Sequence, residues 1–331
     1  MVWSANEPDA HCRGQGGRGF GRNYIKMMAA AACGRIAKPA PAVIACMHLG
    51  LSPAARLLAA RTGAPYVVFL HGVEAWRPLR GRSRWGLAKA ALLMANSRFT
   101  LRGFVQANPE CASLPSVITA LGVGEPGEAP PEGQTPNRGI LIVSRMDKAD
   151  DYKGHRVLIQ ALGLLVGRFP DVRLTVSGDG DDRAGIEAYA ASMPYAGHIE
   201  FVGRVPDDRL DRLYAQSAVF AMPSAGEGFG LVFLEAMAHG LPCICGDRDA
   251  SGEVVADGLT GYCLPPGDPA AVAEGVGRLL ADESLRRRFG EAGRSRYLAE
   301  FTGEHFKRRI RSALALATGR PSWPESKACA A

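Results

Sequence analysis

The chain has 331 residues, room for two domains of ordinary size, and its 47% hydrophobic and 22% charged content excludes a disordered or low-complexity protein. Its longest apolar stretches, Met27–Cys33 and Leu87–Ala95, are too short to span a membrane, and the N-terminus lacks a charged-then-apolar signal pattern, so a cytoplasmic protein is expected. The net charge of +6 is uneven: residues 1–136 hold 15 Lys+Arg against 7 Asp+Glu, or +8, and the remainder 24 against 26, or −2, which indicates either an anionic partner for the first half or a solvated basic face.

In chain order, a glycine-rich stretch at Gly14–Gly21 precedes an expected helix over Asn23–Ala32. Val43–Cys46 and Tyr66–Leu70 are strand-like, with a helix at Ser52–Arg61 between them; Leu92–Asn96 and Ser116–Thr119 are weaker strand candidates. Gly122–Arg138 holds four prolines and four glycines without apolar periodicity and reads as an interdomain linker. The pattern then becomes regular. Gly139–Ser144 is a buried-strand run, His155–Phe169 has helical spacing, and Val172–Ser177 is a strand closed by Gly178-Asp179-Gly180. Ile199–Val202, Val219–Pro223 and Pro242–Cys245 are further strands, with helices at Leu210–Ala215 and Leu231–His239. Strands alternating with helices across short loops specify an α/β fold with a doubly wound parallel sheet. Ala270–Leu280 and Asp282–Leu298 are expected helices, and Pro321–Ala331 a loose tail. The expected domains are therefore 1–136 and 137–318, followed by a tail at 319–331.

Eight cysteines show no paired framework. Cys243 and Cys245 are expected to face one side of a buried strand, and neither a second pair nor a suitably spaced histidine completes a metal site. They read as small core residues with reduced thiols.

Two segments carry chemistry. In Pro223–His239 a strand ends, a small-residue loop follows, and a helix starts near Gly230. The first-turn N–H groups of such a helix lack backbone partners and sit at the positive end of its dipole, which favours an anion. Glu227 and Glu235 flank that start, and carboxylates accept hydrogen bonds from vicinal sugar hydroxyls; each alone is equally a solvated or helix-stabilising Glu. In Ser144–Gly154, Arg145 and Lys153 bring two cations to the carboxyl edge of the sheet, where open α/β folds bind ligands. The arrangement suits a diphosphate; singly, each is an ordinary surface charge.

Taken together, these segments resemble the retaining family-4 glycosyltransferases (glycosyl transferases group 1, GT-B fold). The resemblance runs from Ser144–Gly154 through SGDG at Ser177–Gly180 and Phe201–Ser217 to the Glu-x7-Glu element from Glu227 to Glu235, and on to Gly258–Asp268. It implies two Rossmann-like doubly wound domains facing across a cleft, the N-terminal one abbreviated. It also implies transfer of a sugar, with retention of configuration, from a UDP- or GDP-linked donor to a glycan or lipid-linked acceptor. Arg145 and Lys153 are then expected to hold the diphosphate, Glu235 the ribose, and Glu227 the donor sugar. Phe229, Gly230, Leu231 and Val232 would offer backbone to sugar and phosphate, and Gly203, Arg204 and Val205 would lie beside the base. Neither a cofactor nor a metal is expected; Asp179-Gly180-Asp181 has the spacing of a metal-binding element but reads as a turn.

The first half resembles the family more weakly. Gly16 and Gly17 fall in a glycine loop that would approach the sugar and phosphate, and His71, ending the strand Tyr66–Leu70, would point at the reacting sugar. Family members have a strong strand before the glycine loop and further strands before Val43–Cys46; here Met1–Arg13 and Gly34–Pro41 stand in their place. The alternative reading is a catalytically degenerate nucleotide-binding or scaffold protein of the same fold. A dinucleotide-binding oxidoreductase is weaker, because Gly17-x-Gly19-x-Gly21 departs from the GxGxxG spacing. Glu74–Trp85 sets Arg77, Arg80, Arg82 and Arg84 between Trp76 and Trp85, a composition suited to peripheral association with an anionic inner-membrane face; no nucleic-acid recognition motif accompanies it.

Overall fold

Short apolar runs alternating with helices build two parallel sheets. The computed structural model describes residues 2–4, 17–19, 23–33, 40–124 and 139–320. The chain divides into two compact units, Met1–Thr119 with Lys307–Ala331, and Ala120–Phe306.

In the first unit, β1 (Val2–Ser4) and β2 (Gly17–Gly19) form a parallel pair. The stretch Gly14–Gly21, expected as a loop, is therefore strand at 17–19; Gly16 lies outside the described residues. A helix over Tyr24–Cys33 follows. A second sheet holds β3 (Ile44–Cys46), β4 (Tyr66–Leu70), β5 (Leu92–Ala95) and β6 (Ser116–Ile118) in chain order, all parallel. Both weaker strand candidates are thus strands. Every residue of β4 is buried, as expected for a parallel sheet covered on both faces. Its core includes Tyr66, Val68, Leu70, Leu87, Leu93 and Phe104.

This unit also carries Glu74–Trp85. Trp76 is half-buried: it packs against the core and meets Phe99 edge-on at 5.3 Å, so it is not a presented interfacial ring. Trp85 is 43% exposed, with the Arg56 guanidinium 4.3 Å over its ring. Arg77, Arg80, Arg82 and Arg84 are all exposed. The carboxylate that reaches Arg84 is Glu110, at 2.8 Å, rather than the neighbour in sequence, Glu74, which accepts from the His71 N–H at 2.6 Å.

The second unit holds six parallel strands: β7 (Gly139–Val143), β8 (Arg173–Ser177), β9 (Ile199–Gly203), β10 (Val219–Met222), β11 (Cys243–Gly246) and β12 (Gly261–Leu264). Their spatial order is β12-β11-β10-β7-β8-β9. Ile140, Leu141, Ile142, Val176, Phe220 and Ile244 are buried to within 1%. Each such side chain contributes about 1.5–3 kcal/mol on burial, which is why these strands read as continuous apolar runs rather than alternating ones. Helices over His155–Val166, Leu231–Ala238, Pro269–Ala281 and Glu283–Glu300 agree with the sequence pattern within a few residues. The helices Arg183–Ala191 and Gly303–Thr318 and the strand β12 add to it. Cys243 and Cys245 are buried core residues, and the Cys245 thiol donates to Cys263 on β12 at 3.2 Å. Val123, at the start of the expected linker, pairs with Thr302; residues 125–138 and the tail 321–331 lie outside the described residues.

Candidate functional site

The order of the second sheet reverses between β7 and β10. From β7 the chain proceeds outward through β8 and β9, then returns to the other side of β7 as β10. At such a switch point the loops after the two central strands part, leaving a crevice at the carboxyl edge where open α/β sheets bind ligands. Here those loops are Ser144–Gly154 and Pro223–Gly230. They touch: Ala225 N donates to Tyr152 O at 2.9 Å. A Cβ on Gly154 would lie 2.5 Å from Pro223 O, so only glycine fits between them.

Across this contact Lys153 Nζ donates to Glu227 Oε2, with only 10% of one side chain and 15% of the other exposed. The two residues, 74 apart in the chain, form one buried ion pair. Arg145 projects from the same loop as Lys153, its side chain 70% exposed and 3.5 Å from Asp147. Behind the loop, Ser144 Oγ and His155 Nε2 share a hydrogen bond at 3.0 Å. Burial first, then the charges of Lys153 and Arg156, hold the His155 imidazole down at about 4, so it is neutral near pH 7.

Two helices begin at this edge. His155–Val166 starts at Gly154 (φ 84°) and Leu231–Ala238 at Gly230 (φ 91°), and neither has a side-chain cap. In contrast, Ser97, Asp268 and Asp282 cap the first-turn N–H groups of the helices they precede. The left-handed φ at both starts is one that glycine adopts without strain. The N–H groups of Leu231 and Val232 therefore face the edge with no side chain to accept from them. Leu231 is 40% exposed, Val232 is half-buried, and Phe229 is buried against Phe301 at 6.2 Å.

Glu235 lies one turn into the second of these helices and accepts from Tyr214 Oη at 2.8 Å. Burial raises its carboxyl above the ordinary value, while the Tyr214 hydrogen bond and His239 pull the other way. His239 stacks on Tyr214 at 5.2 Å, its Nδ1 2.8 Å from Glu235 O. The acceptor-only carbonyl requires the proton on Nδ1. Sequence pattern alone does not single out Tyr214 and His239; their signal is an aromatic on the helix before β10 and a histidine closing the helix after it. Gly203 ends β9, where its carbonyl accepts from Gly178 N at 2.9 Å; Arg204 is exposed and Val205 half-buried.

The remaining expected residues belong to the first unit. His71 follows β4, stacks on Phe69 at 5.0 Å, and turns Nε2 toward Met47 O at 2.7 Å. Nε2 therefore carries the proton. Gly17 lies in β2. The structure thus brings Lys153, Glu227, Gly230, Leu231 and Val232 together, with Arg145 on the same loop as Lys153, while His71 and Gly17 belong to the first unit. Among the described residues, no three His, Cys, Asp or Glu side chains converge as metal ligands.

Residues 132–296 match the family described as glycosyl transferases group 1. The chain is 36% identical over 155 residues to a phosphatidyl-myo-inositol mannosyltransferase of Mycobacterium leprae, a match covering 46% of this chain and 40% of that protein. It is 38% identical over 149 residues to a GDP-mannose-dependent alpha-(1-6)-phosphatidylinositol monomannoside mannosyltransferase of Mycolicibacterium smegmatis, covering 43% and 39%. The chain thus spans about two fifths of the length of the curated relatives it matches. Among solved structures, Anabaena HepE in complex with UDP and glucose superposes with a TM-score of 0.69 at 20% identity, covering 83% of this chain and 77% of that one.

Proposed function

We propose a function from one premise: through residues 132–296 this chain belongs to the glycosyl transferases group 1 family, and it has the GT-B fold. The function is transfer of a sugar from a nucleoside diphosphate donor to a glycan or lipid-linked acceptor, with retention of configuration. The observation that carries it is the Lys153–Glu227 pair, buried beside two uncapped helix starts at the switch point of the sheet.

The donor diphosphate sits at the free N–H groups of Leu231 and Val232, where both the unpaired donors and the helix dipole favour an anion. It competes with Glu227 for the Lys153 ammonium. Lys153 and Arg145 then stabilise charge on the departing diphosphate by preorganised electrostatics, with no metal or cofactor invoked. Glu227, released from its partner, accepts from donor-sugar hydroxyls. Glu235, held by Tyr214, accepts from the ribose. Gly203, Arg204 and Val205 flank the base, and Phe229 and Gly230 complete the loop. The roles of His71, Gly16 and Gly17 at the reacting sugar rest on the family resemblance.

One relative is named as GDP-mannose-dependent and one structural neighbour holds UDP, which supports a GDP- or UDP-linked donor. Relatives named for phosphatidylinositol substrates support a lipid-linked acceptor. Among the described residues no helix is long and apolar enough to cross a membrane. The exposed Arg77, Arg80, Arg82 and Arg84 with Trp85 suit peripheral association at an anionic surface, each basic side chain contributing about 1 kcal/mol. The test is incubation of the purified chain with UDP- and GDP-linked hexoses, following donor consumption and the anomer of the product by NMR. Consumption with a retained anomer is expected. Nucleotide binding with no consumption of any donor would replace this reading with that of a non-catalytic binding protein.

A further inference from the structure

Asp249, in the loop after β11, is 8% exposed, and both its carboxylate oxygens are occupied. Oδ2 accepts from Ser224 Oγ at 2.6 Å and from Glu227 N at 2.8 Å. Oδ1 accepts from Ser251 N at 2.9 Å and lies beside Ser251 Oγ. The next residue completes the contact: Ala250 N donates to Glu227 O at 3.0 Å. Both backbone polar groups of Glu227 are therefore held by the turn Asp249–Ala250. The turn can come this close because β11 ends at Gly246, where a Cβ would lie 1.8 Å from Ser224 O.

We propose that Asp249 is a positioning residue that acts through Glu227. This rests on the assignment of Glu227 to the donor sugar. The Asp249 carboxylate fixes the Glu227 backbone, and the Glu227 side chain meets Lys153. The loops after β11, β10 and β7 are thereby joined in one line of contacts that ends at the donor cation. The residue type matters: a carboxylate only accepts, and it faces donors on both oxygens, whereas an amide would turn N–H groups toward one set of them. Asn at this position keeps the volume and loses the alignment. The donor sugar is then presented to a Glu227 that is no longer held in register, while the diphosphate still meets the helix N-terminus.

The test is a double-mutant cycle with Asp249→Asn and Glu227→Gln. Calorimetry compares UDP-glucose with UDP, and GDP-mannose with GDP, on the full chain. The quantity read is the ratio of sugar-nucleotide affinity to free-nucleotide affinity for whichever pair binds. Asp249→Asn is expected to lower that ratio about tenfold in the wild-type background, as for loss of a charge-assisted hydrogen bond. It should have no further effect in the Glu227→Gln background, because both changes remove one unit. Multiplicative effects, or equal weakening of both ligands by Asp249→Asn, would overturn the positioning role and leave the donor-site reading intact. No change of the ratio in Glu227→Gln would overturn the sugar role of Glu227 and this proposal with it. If Asp249→Asn does not fold, Ser224→Ala serves instead. It removes one donor to Oδ2 and should lower the ratio roughly two- to threefold, and an unchanged ratio counts against the proposal in the same way.

Discussion

Replacing Lys153 by Met keeps the length of the side chain and removes its charge, which leaves the Glu227 carboxylate buried without its ammonium. Only 15% of the Glu227 side chain is exposed, so water cannot substitute for the lost partner. Breaking a buried ion pair on one side costs about 3–5 kcal/mol. The expected deficit is therefore about 3 kcal/mol at pH 7. For a unit of this size that deficit lowers Tm by roughly 6–12 °C. Urea unfolding of both proteins at pH 7 measures the difference, and adding Glu227→Gln should restore most of it, since an uncharged pair of similar volume is tolerated. Equal stability of Lys153→Met and wild type at pH 7, or a deficit that Glu227→Gln does not relieve, would refute the buried pair.

His155 is neutral in the fold, with its imidazole held at about 4, whereas the unfolded chain takes up the proton near 6.5. Stability is therefore lost as pH falls from 6.5 toward 4, by about 2 kcal/mol at pH 5, and His155→Gln should unfold in urea without that component. Tyr214→Phe removes the hydroxyl that donates to Glu235; calorimetry should show free nucleoside diphosphate bound roughly 3–10-fold more weakly, and unchanged affinity would remove Tyr214 from the ribose site. Exchanging Arg77, Arg80, Arg82 and Arg84 together for Ser should abolish low-salt co-sedimentation with anionic liposomes, and wild-type binding should fall at high salt.

Much of the second unit was legible because its strands are buried on both faces. GILIV and VFAM at Gly139–Val143 and Val219–Met222 are apolar throughout, and short loops separate them from periodic helices. The strand β12 was not legible: its four residues, GYCL, are half-buried for the most part and followed by two prolines, and so resemble a turn. Residue types at the site could be read locally, since Arg145, Lys153 and Glu227 stand in loops that leave strand ends and Glu235 lies one turn into the helix that follows. Their partners could not. That Lys153 meets Glu227 depends on the reversal of strand order, and that Asp249 holds Glu227 depends on the closeness of β11 to β10; neither is a property of local spacing. Trp76 shows the converse. Arginines beside it suggested an interfacial ring, but Gly103 and Phe99 form a recess that half-buries it against the core.

The most direct test of the account is calorimetric titration of the full chain with UDP and with GDP, set beside the variant carrying Arg145→Ala and Lys153→Ala. At least one nucleotide should bind the wild type with one-to-one stoichiometry, and the variant should lose on the order of 2–4 kcal/mol of that affinity, as for two charge-assisted contacts to a diphosphate. Failure of both nucleotides to bind the wild type, or undiminished binding by a folded variant, would contradict a donor site at the Lys153–Glu227 crevice.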